Sequence, residues 1–169
     1  DIVIVSALRT SIGKLNGVYS KYKSHELGAL VNKEIINRTN LDPKKIDEVI
    51  MGQVLTGLTG QNPARQSAIS ANIPIEKTAY VINQVCGSGL RSVAAAYQSI
   101  LLNDAKIIIA GGQESMSSCS EENILKDGLI DAFNNYHMGV TAENVAEKWG
   151  ITREEQDNFA FESQNKTQE

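Results

Sequence analysis

Cysteine is scarce in this chain, with two residues, Cys86 and Cys119, in 169. Two thiols make no disulfide framework. Neither a C-x-x-C pair nor a Cys/His spacing suited to zinc occurs, so no metal site is expected. Aromatic residues are only 5% of the sequence, which leaves Ile, Val, Leu and Ala to build the core. Basic clusters are absent: 16 Lys and Arg stand scattered against 20 Asp and Glu, for a net charge of −4. That excludes the electrostatic footprint of a nucleic-acid binder or a polybasic membrane-surface protein. No apolar run approaches the ~20 residues needed to cross a bilayer. The opening "DIVIVSALRT" has no basic region before its apolar run and no cleavage site after it, so it reads as a strand rather than a secretory leader. There is no internal repeat and no low-complexity tract. Together these absences lead one to expect a reducing, cytoplasmic setting with no nucleic-acid or membrane partner.

What is present is ordinary for one globular domain: 41% hydrophobic and 21% charged residues, enough to bury a sizeable core. The pattern along the chain alternates. Ile2–Ala7 is a β-branched run. Ser24 is placed to cap a helix carrying Leu27, Leu30, Val31, Ile35 and Ile36 at helical spacing. Glu48–Leu55 reads as a strand, and "QNPARQSAISANIP" as a helix with Asn62 capping and Pro63 in its first turn. Thr78–Val85 is the next strand, Leu90–Leu102 the next helix and "KIIIAGG" (Lys106–Gly112) a fourth strand. The order βαβαβαβ argues for an α/β layered half-domain. Residues 113–137 are polar and irregular. Two helices follow, the second opening on a capping box at Thr152 and Glu155. The division expected is 1–117 for the half-domain and 118–169 for a partial helical segment.

Chemistry concentrates in "VINQVCGSGLRSVAAA", Val81–Ala96, where a strand passes through a cysteine into a helix. The helix N-terminus offers unpaired N–H groups and a partial positive charge, which favours a thiolate and suits an oxyanion. Gly87 and Gly89 are expected to keep the turn tight. The arrangement follows the logic of a nucleophile elbow with sulfur in place of oxygen. Other readings of the same residues stay open. A free cysteine is commonly a buried packing residue. "GSGLRS" approximates a phosphate-cradling glycine loop, although Ser92 breaks the dinucleotide fingerprint.

The segment "INQVCGSGLRSVAAAYQSI" resembles the active-site segment of the thiolase family. Four more stretches resemble that family in the same order: "SALRTSIGKLNG", "GQNPARQSA", "AGGQESMS" and "HMGVTAENVAE". The likeness is greatest to the bacterial-type acetyl-CoA acetyltransferase branch; Ser11 stands where the family usually has proline. The resemblance implies a half-domain with a mixed sheet. It also implies condensation of two acetyl-CoA molecules to acetoacetyl-CoA, or the reverse thiolysis, with Cys86 carrying the acyl group. The substrates would be coenzyme A thioesters, with no further cofactor. It places Leu129, His137 and Met138 at the substrate, and Gln61, Asn62 and Arg65 at a dimer interface of a homodimer or homotetramer.

Thiolases are roughly twice as long. Their second half supplies a "GHP" histidine that activates the nucleophile and a "CxGG" acid/base cysteine. Neither motif occurs here, and His25 and His137 match neither role. Cys119, in "MSSCSEE", is expected to be a loop or surface residue, and Glu114 to make a structural hydrogen bond. The span from "ESMS" to "DGLIDAF" is shorter than the family norm. The 169 residues alone are therefore expected to lack thiolase turnover. Two alternatives are a degradative 3-ketoacyl-CoA thiolase and a non-catalytic thiolase-like module for dimerisation or CoA binding.

Overall fold

The chain as a computed structural model is described for residues 1–168, and it divides into two compact units, one from Asp1 to Gly128 and one beginning at Leu129. In the first unit three short strands form one parallel sheet: β1 (Glu48–Gly52), β2 (Thr78–Ile82) and β3 (Ile108–Gly112). Their order is β2-β1-β3. Glu48 is in register with Thr78 and Ile108, and Gly52 with Ile82 and Gly112. Parallel neighbours need crossover connections. Helix α2 (Pro63–Ser70) makes the crossover from β1 to β2, and α3 (Ser88–Leu101) makes it from β2 to β3. Helix α1 (Ser24–Thr39) precedes the sheet and packs on α2.

Alternation along β1 assigns the layers, because successive side chains leave a strand on opposite faces. Val49 and Met51 join Ala64 and Ala68 of α2, Ile36 of α1 and Ile109 of β3 in the main core. Gly52, on the other face, meets the first residues of α3. Ile46, Val49 and Ile50 are fully buried, and each such side chain contributes about 1.5–3 kcal/mol of transfer free energy. Asp47 fixes where β3 begins. Its carboxylate accepts the Lys106 N–H at 2.7 Å and the Ile107 N–H at 3.0 Å.

The α/β class, helix α1 and the two crossover helices agree with the sequence reading, but the first strand does not form. Ile2–Ala7 lies outside any strand, and Val3, Ile4 and Val5 are 71–79% exposed. A β-branched run becomes a strand only when it finds a ladder. Ile2–Ala7 pairs with neither outer edge of the β2-β1-β3 sheet, so among the described residues the sheet has three strands rather than four and all are parallel. The antiparallel member of a mixed sheet is not among the described residues. Ser24 also differs from expectation. It lies inside α1, buried and with its Oγ unpartnered, and the start of the helix is instead closed by Glu26 accepting the Lys23 N–H at 2.8 Å. Asn62 does cap α2, accepting the Arg65 N–H at 3.1 Å.

The second unit contains α4 (Met138–Trp149) and α5 (Arg153–Gln168). Gly150 ends α4 at φ 64°. The capping box forms as read: Glu155 accepts the Thr152 N–H at 2.8 Å and Thr152 Oγ1 accepts the Glu155 N–H at 3.2 Å.

Candidate active site

Cys86 sits in the turn between β2 and α3, two residues before the first turn of α3, and it is exposed. The turn lies beyond the C-terminal end of the sheet, where open α/β folds place their sites. Its backbone is strained at one point. Val85 adopts φ 48°, in the left-handed region that costs an L residue about 1–2 kcal/mol and suits a β-branched residue least. The chain meets this requirement elsewhere mostly with asparagine, at Asn16, Asn40, Asn62, Asn72, Asn103 and Asn135. Gly87, by contrast, has φ −84°, open to any residue. The special geometry of the turn thus belongs to Val85 and not to the glycines that the sequence singled out.

Three side-chain hydrogen bonds hold the turn. Asn83 Oδ1 accepts the Val85 N–H at 2.9 Å. Ser88 Oγ accepts the Gln84 N–H at 2.9 Å and donates to the Val85 carbonyl at 2.6 Å. Ser88 is 3% exposed, so two of the three bonds are made by a buried hydroxyl, whereas the Asn83 bond lies at the surface.

Beneath the turn, α3 lies close on the sheet. A Cβ on Gly52 would stand 2.3 Å from the Ser88 carbonyl carbon and 2.6 Å from the Gly89 nitrogen. No side chain of any size fits there. Gly112 meets Gly89 almost as closely, its own Cβ position lying 3.3 Å from the Gly89 Cα. Ser92, fully buried, shares its hydroxyl proton between the Gly89 carbonyl at 2.6 Å and the Gly111 carbonyl at 2.8 Å. The residue that breaks the dinucleotide fingerprint therefore fastens α3 to β3. The buried face of α3 is Ser88, Ser92 and Ala96, whereas Leu90, Tyr97 and Leu101 are more than half exposed. Apolar spacing alone does not reveal a helix seated by its small residues.

The other residues singled out in the sequence fall into distinct settings. Gln61 and Asn62 are exposed and Arg65 is partly buried at the start of α2. The Arg65 guanidinium donates to the carbonyls of Lys77 and Ile75, and Asn62 Nδ2 donates to the Ala79 carbonyl at 2.9 Å. Asn62 and Arg65 thereby tie the start of α2 to β2 and the residues leading into it, with Gln61 next to them in the chain. Leu129, His137 and Met138 belong to the second unit, and Cys86 to the first. Leu129 ends a π-helical turn, Ile124–Leu129, and Met138 is 37% exposed. His137 is the N-cap of α4, with Nδ1 accepting the Gly139 N–H at 3.0 Å.

Cys119 is partly buried, with Sγ 3.5 Å from the Ser115 carbonyl. Burial first, and then the Glu114 carboxylate, push its thiol pKa up, the opposite of what a nucleophile needs. Glu114 turns its carboxylate onto the amides of Val54 at 2.8 Å and Leu55 at 3.3 Å. Burial raises its pKa although both amides pull it down. Its role is the structural bond expected from the sequence. His25 is in α1, its pKa lowered chiefly by burial and its Nδ1 unpartnered. No group of three or more His, Cys, Asp or Glu suited to a metal ion occurs among the described residues.

A parallel α/β layer with an exposed cysteine at a strand-to-helix turn presents a thiol beyond the C-terminal end of the sheet. The family model for the thiolase N-terminal domain matches residues 2–123 and 118–169. The chain is similar to acetyl-CoA acetyltransferases of Paracoccus denitrificans, 53% identical over 98% of this chain, and Rhizobium meliloti, 51% identical over 99%. It is also 46% identical over 99% to the cytosolic acetyl-CoA acetyltransferase of Mus musculus. The chain belongs to the thiolase family and corresponds to its N-terminal part. It spans 46–47% of the length of these curated relatives. The two matched stretches meet at residues 118–123, and the alignments run to 182–184 positions against 169 residues. The relatives thus hold residues without a counterpart here, in keeping with the short span between Ser117 and Asp127.

Proposed function

We propose that this chain carries the acyl-accepting half of an acetyl-CoA C-acetyltransferase, with Cys86 as the nucleophile. The observation that supports this most is the exposed Cys86 just before α3, on a turn held by the hydroxyl of the buried Ser88. In the forward direction the Cys86 thiolate adds to the thioester carbonyl of acetyl-CoA. The N–H groups at the start of α3 would stabilise the resulting oxyanion. Coenzyme A leaves as its thiolate, and the acetyl group stays on Cys86. A second acetyl-CoA loses a C2 proton to a base, its enolate attacks the Cys86 thioester, and the Cys86 thiolate departs from acetoacetyl-CoA. Thiolysis runs the same steps backwards.

The base and the histidine that activates the thiol belong, in the family pattern, to motifs absent from this sequence, so these 169 residues are expected to stop short of turnover. Leu129, His137 and Met138 are proposed to contact the acyl and pantetheine portion, His137 through the Nε2 edge that its capping bond leaves available. Gln61, Asn62 and Arg65 are proposed to lie at a subunit interface of a homodimer or homotetramer in the cytoplasm. Coenzyme A thioesters are the substrates, and no separate cofactor enters the scheme.

The test is incubation with acetyl-CoA followed by peptide mass mapping. One acetyl group on the Cys86 peptide, lost in Cys86→Ala, is the expected result. Acetylation that survives in Cys86→Ala, or none on Cys86, would overturn the proposal. Sustained cleavage of acetoacetyl-CoA by the 169 residues alone would contradict the expected division of labour.

A further inference from the structure

Resting on that reading of Cys86, we infer that Ser88 and Asn83 are positioning residues that hold the nucleophile's turn in its strained form. Val85 at φ 48° is a conformation valine does not choose by itself. Asn83 accepts its N–H and Ser88 receives from one side of it and donates to its carbonyl. The N–H and the carbonyl of the strained residue are thereby both held. Among the described residues the Ser88 hydroxyl is the one side chain bonding both ends of the Gln84–Val85 pair, and Ser88 is 3% exposed. Its backbone in turn rests on Gly52, so it cannot shift to follow a relaxing turn. Cys86 comes next in the chain. If Val85 relaxes to negative φ, the direction in which the chain enters Cys86 changes, and the thiol leaves the exposed position it holds two residues before α3.

The test reads Cys86 directly. The rate constant for its alkylation by iodoacetamide at neutral pH is measured by peptide mapping, with Cys119 in the same sample as an internal monitor of folding. Ser88→Ala is expected to slow Cys86 alkylation by about tenfold, in line with the release of one strained backbone position, and to leave Cys119 within about twofold of the parent. Ser88→Thr, which keeps the hydroxyl, is expected to react like the parent. Asn83→Ala is expected to slow the reaction by a smaller factor.

The decisive variant is Ser88→Ala combined with Val85→Gly. Glycine adopts positive φ without a steric penalty, so it restores the turn without the hydroxyl, and the Cys86 rate is expected to return. A purely structural loss at Ser88 is not repaired by deleting a side chain at 85. A Ser88→Ala rate equal to the parent, or no recovery in the double variant, overturns the inference. Neither result touches whether acetyl-CoA acylates Cys86, which the mass-mapping experiment decides separately.

Discussion

Gly52 illustrates how a residue with no side chain can govern a reactive one. It closes β1 and carries the Ser88 and Gly89 backbone directly on its Cα, closer than any Cβ permits. Gly52→Ala forces α3 and the Cys86 turn off the sheet, because backbone atoms rather than a flexible side chain stand in the way. The substitution is expected to destabilise the chain by about 2–4 kcal/mol, the range of severe overpacking, measurable as a lowered midpoint in urea unfolding. An unchanged midpoint would show that α3 can lift freely. Nothing in the sequence marks this glycine above its neighbours. Its demand comes from residues 36 and 37 positions away, which no local pattern reports. Val85 was equally hidden, since a β-branched residue after a strand reads as more strand. Cys86 itself was legible, because strand, cysteine, glycines and helix follow each other in the chain.

At the scale of elements, β3 is held to β1 not only by its ladder but by Asp47, which accepts two consecutive amides at the strand's entry. Those two N–H donations hold the Asp47 pKa below the usual carboxylate value, with burial opposing them. A depressed folded pKa means the contribution is present above the unfolded value near 4 and is lost as pH falls through the folded one. Asp47→Ala is expected to cost about 1 kcal/mol at neutral pH, discounted for the exposure of the site. The variant and parent should then converge in stability as pH drops below about 4. A difference that stays constant from neutral pH to strong acid would place the effect elsewhere.

Helices α1, α2, α4 and α5 were readable from local signals, and the Thr152–Glu155 box and the Asn62 cap formed as read, whereas the cap of α1 is at Lys23 and not Ser24. These signals are local and complete within a few residues. Ile2–Ala7 was not readable, because a strand depends on partners that its own residues cannot specify. The inner face of α3 was not readable either, since close approach selects serine, alanine and glycine where the periodic rule looks for leucine and valine.

For the molecule as a whole, the first unit presents apolar surface that its own elements do not cover. Leu90, Tyr97, Leu101 and Leu102 on and after α3 are 52–79% exposed, alongside Val3, Ile4 and Val5. Contiguous exposed apolar residues of this kind favour association. The 169 residues in isolation are expected to sediment as concentration-dependent oligomers, and replacing Leu90, Tyr97 and Leu101 together by polar residues is expected to shift them toward monomer. A strictly monomeric profile of the parent at micromolar concentration would contradict this. The prediction is separate from the proposed Gln61–Arg65 interface, which lies on α2.

The close seating of α3 also bears on moving this chemistry elsewhere. Asn83 through Ser92 looks like a portable cassette, since it contains the thiol, the strained turn and the hydrogen bonds that hold it. Transplanted between a strand and a helix of another α/β protein, it would lack its footing. Gly52 and Gly112 come from two other strands, and the Gly111 carbonyl that receives Ser92 comes from one of them. A working graft must therefore bring two neighbouring strand ends with it, which makes the transferable unit a patch of sheet and not a stretch of chain.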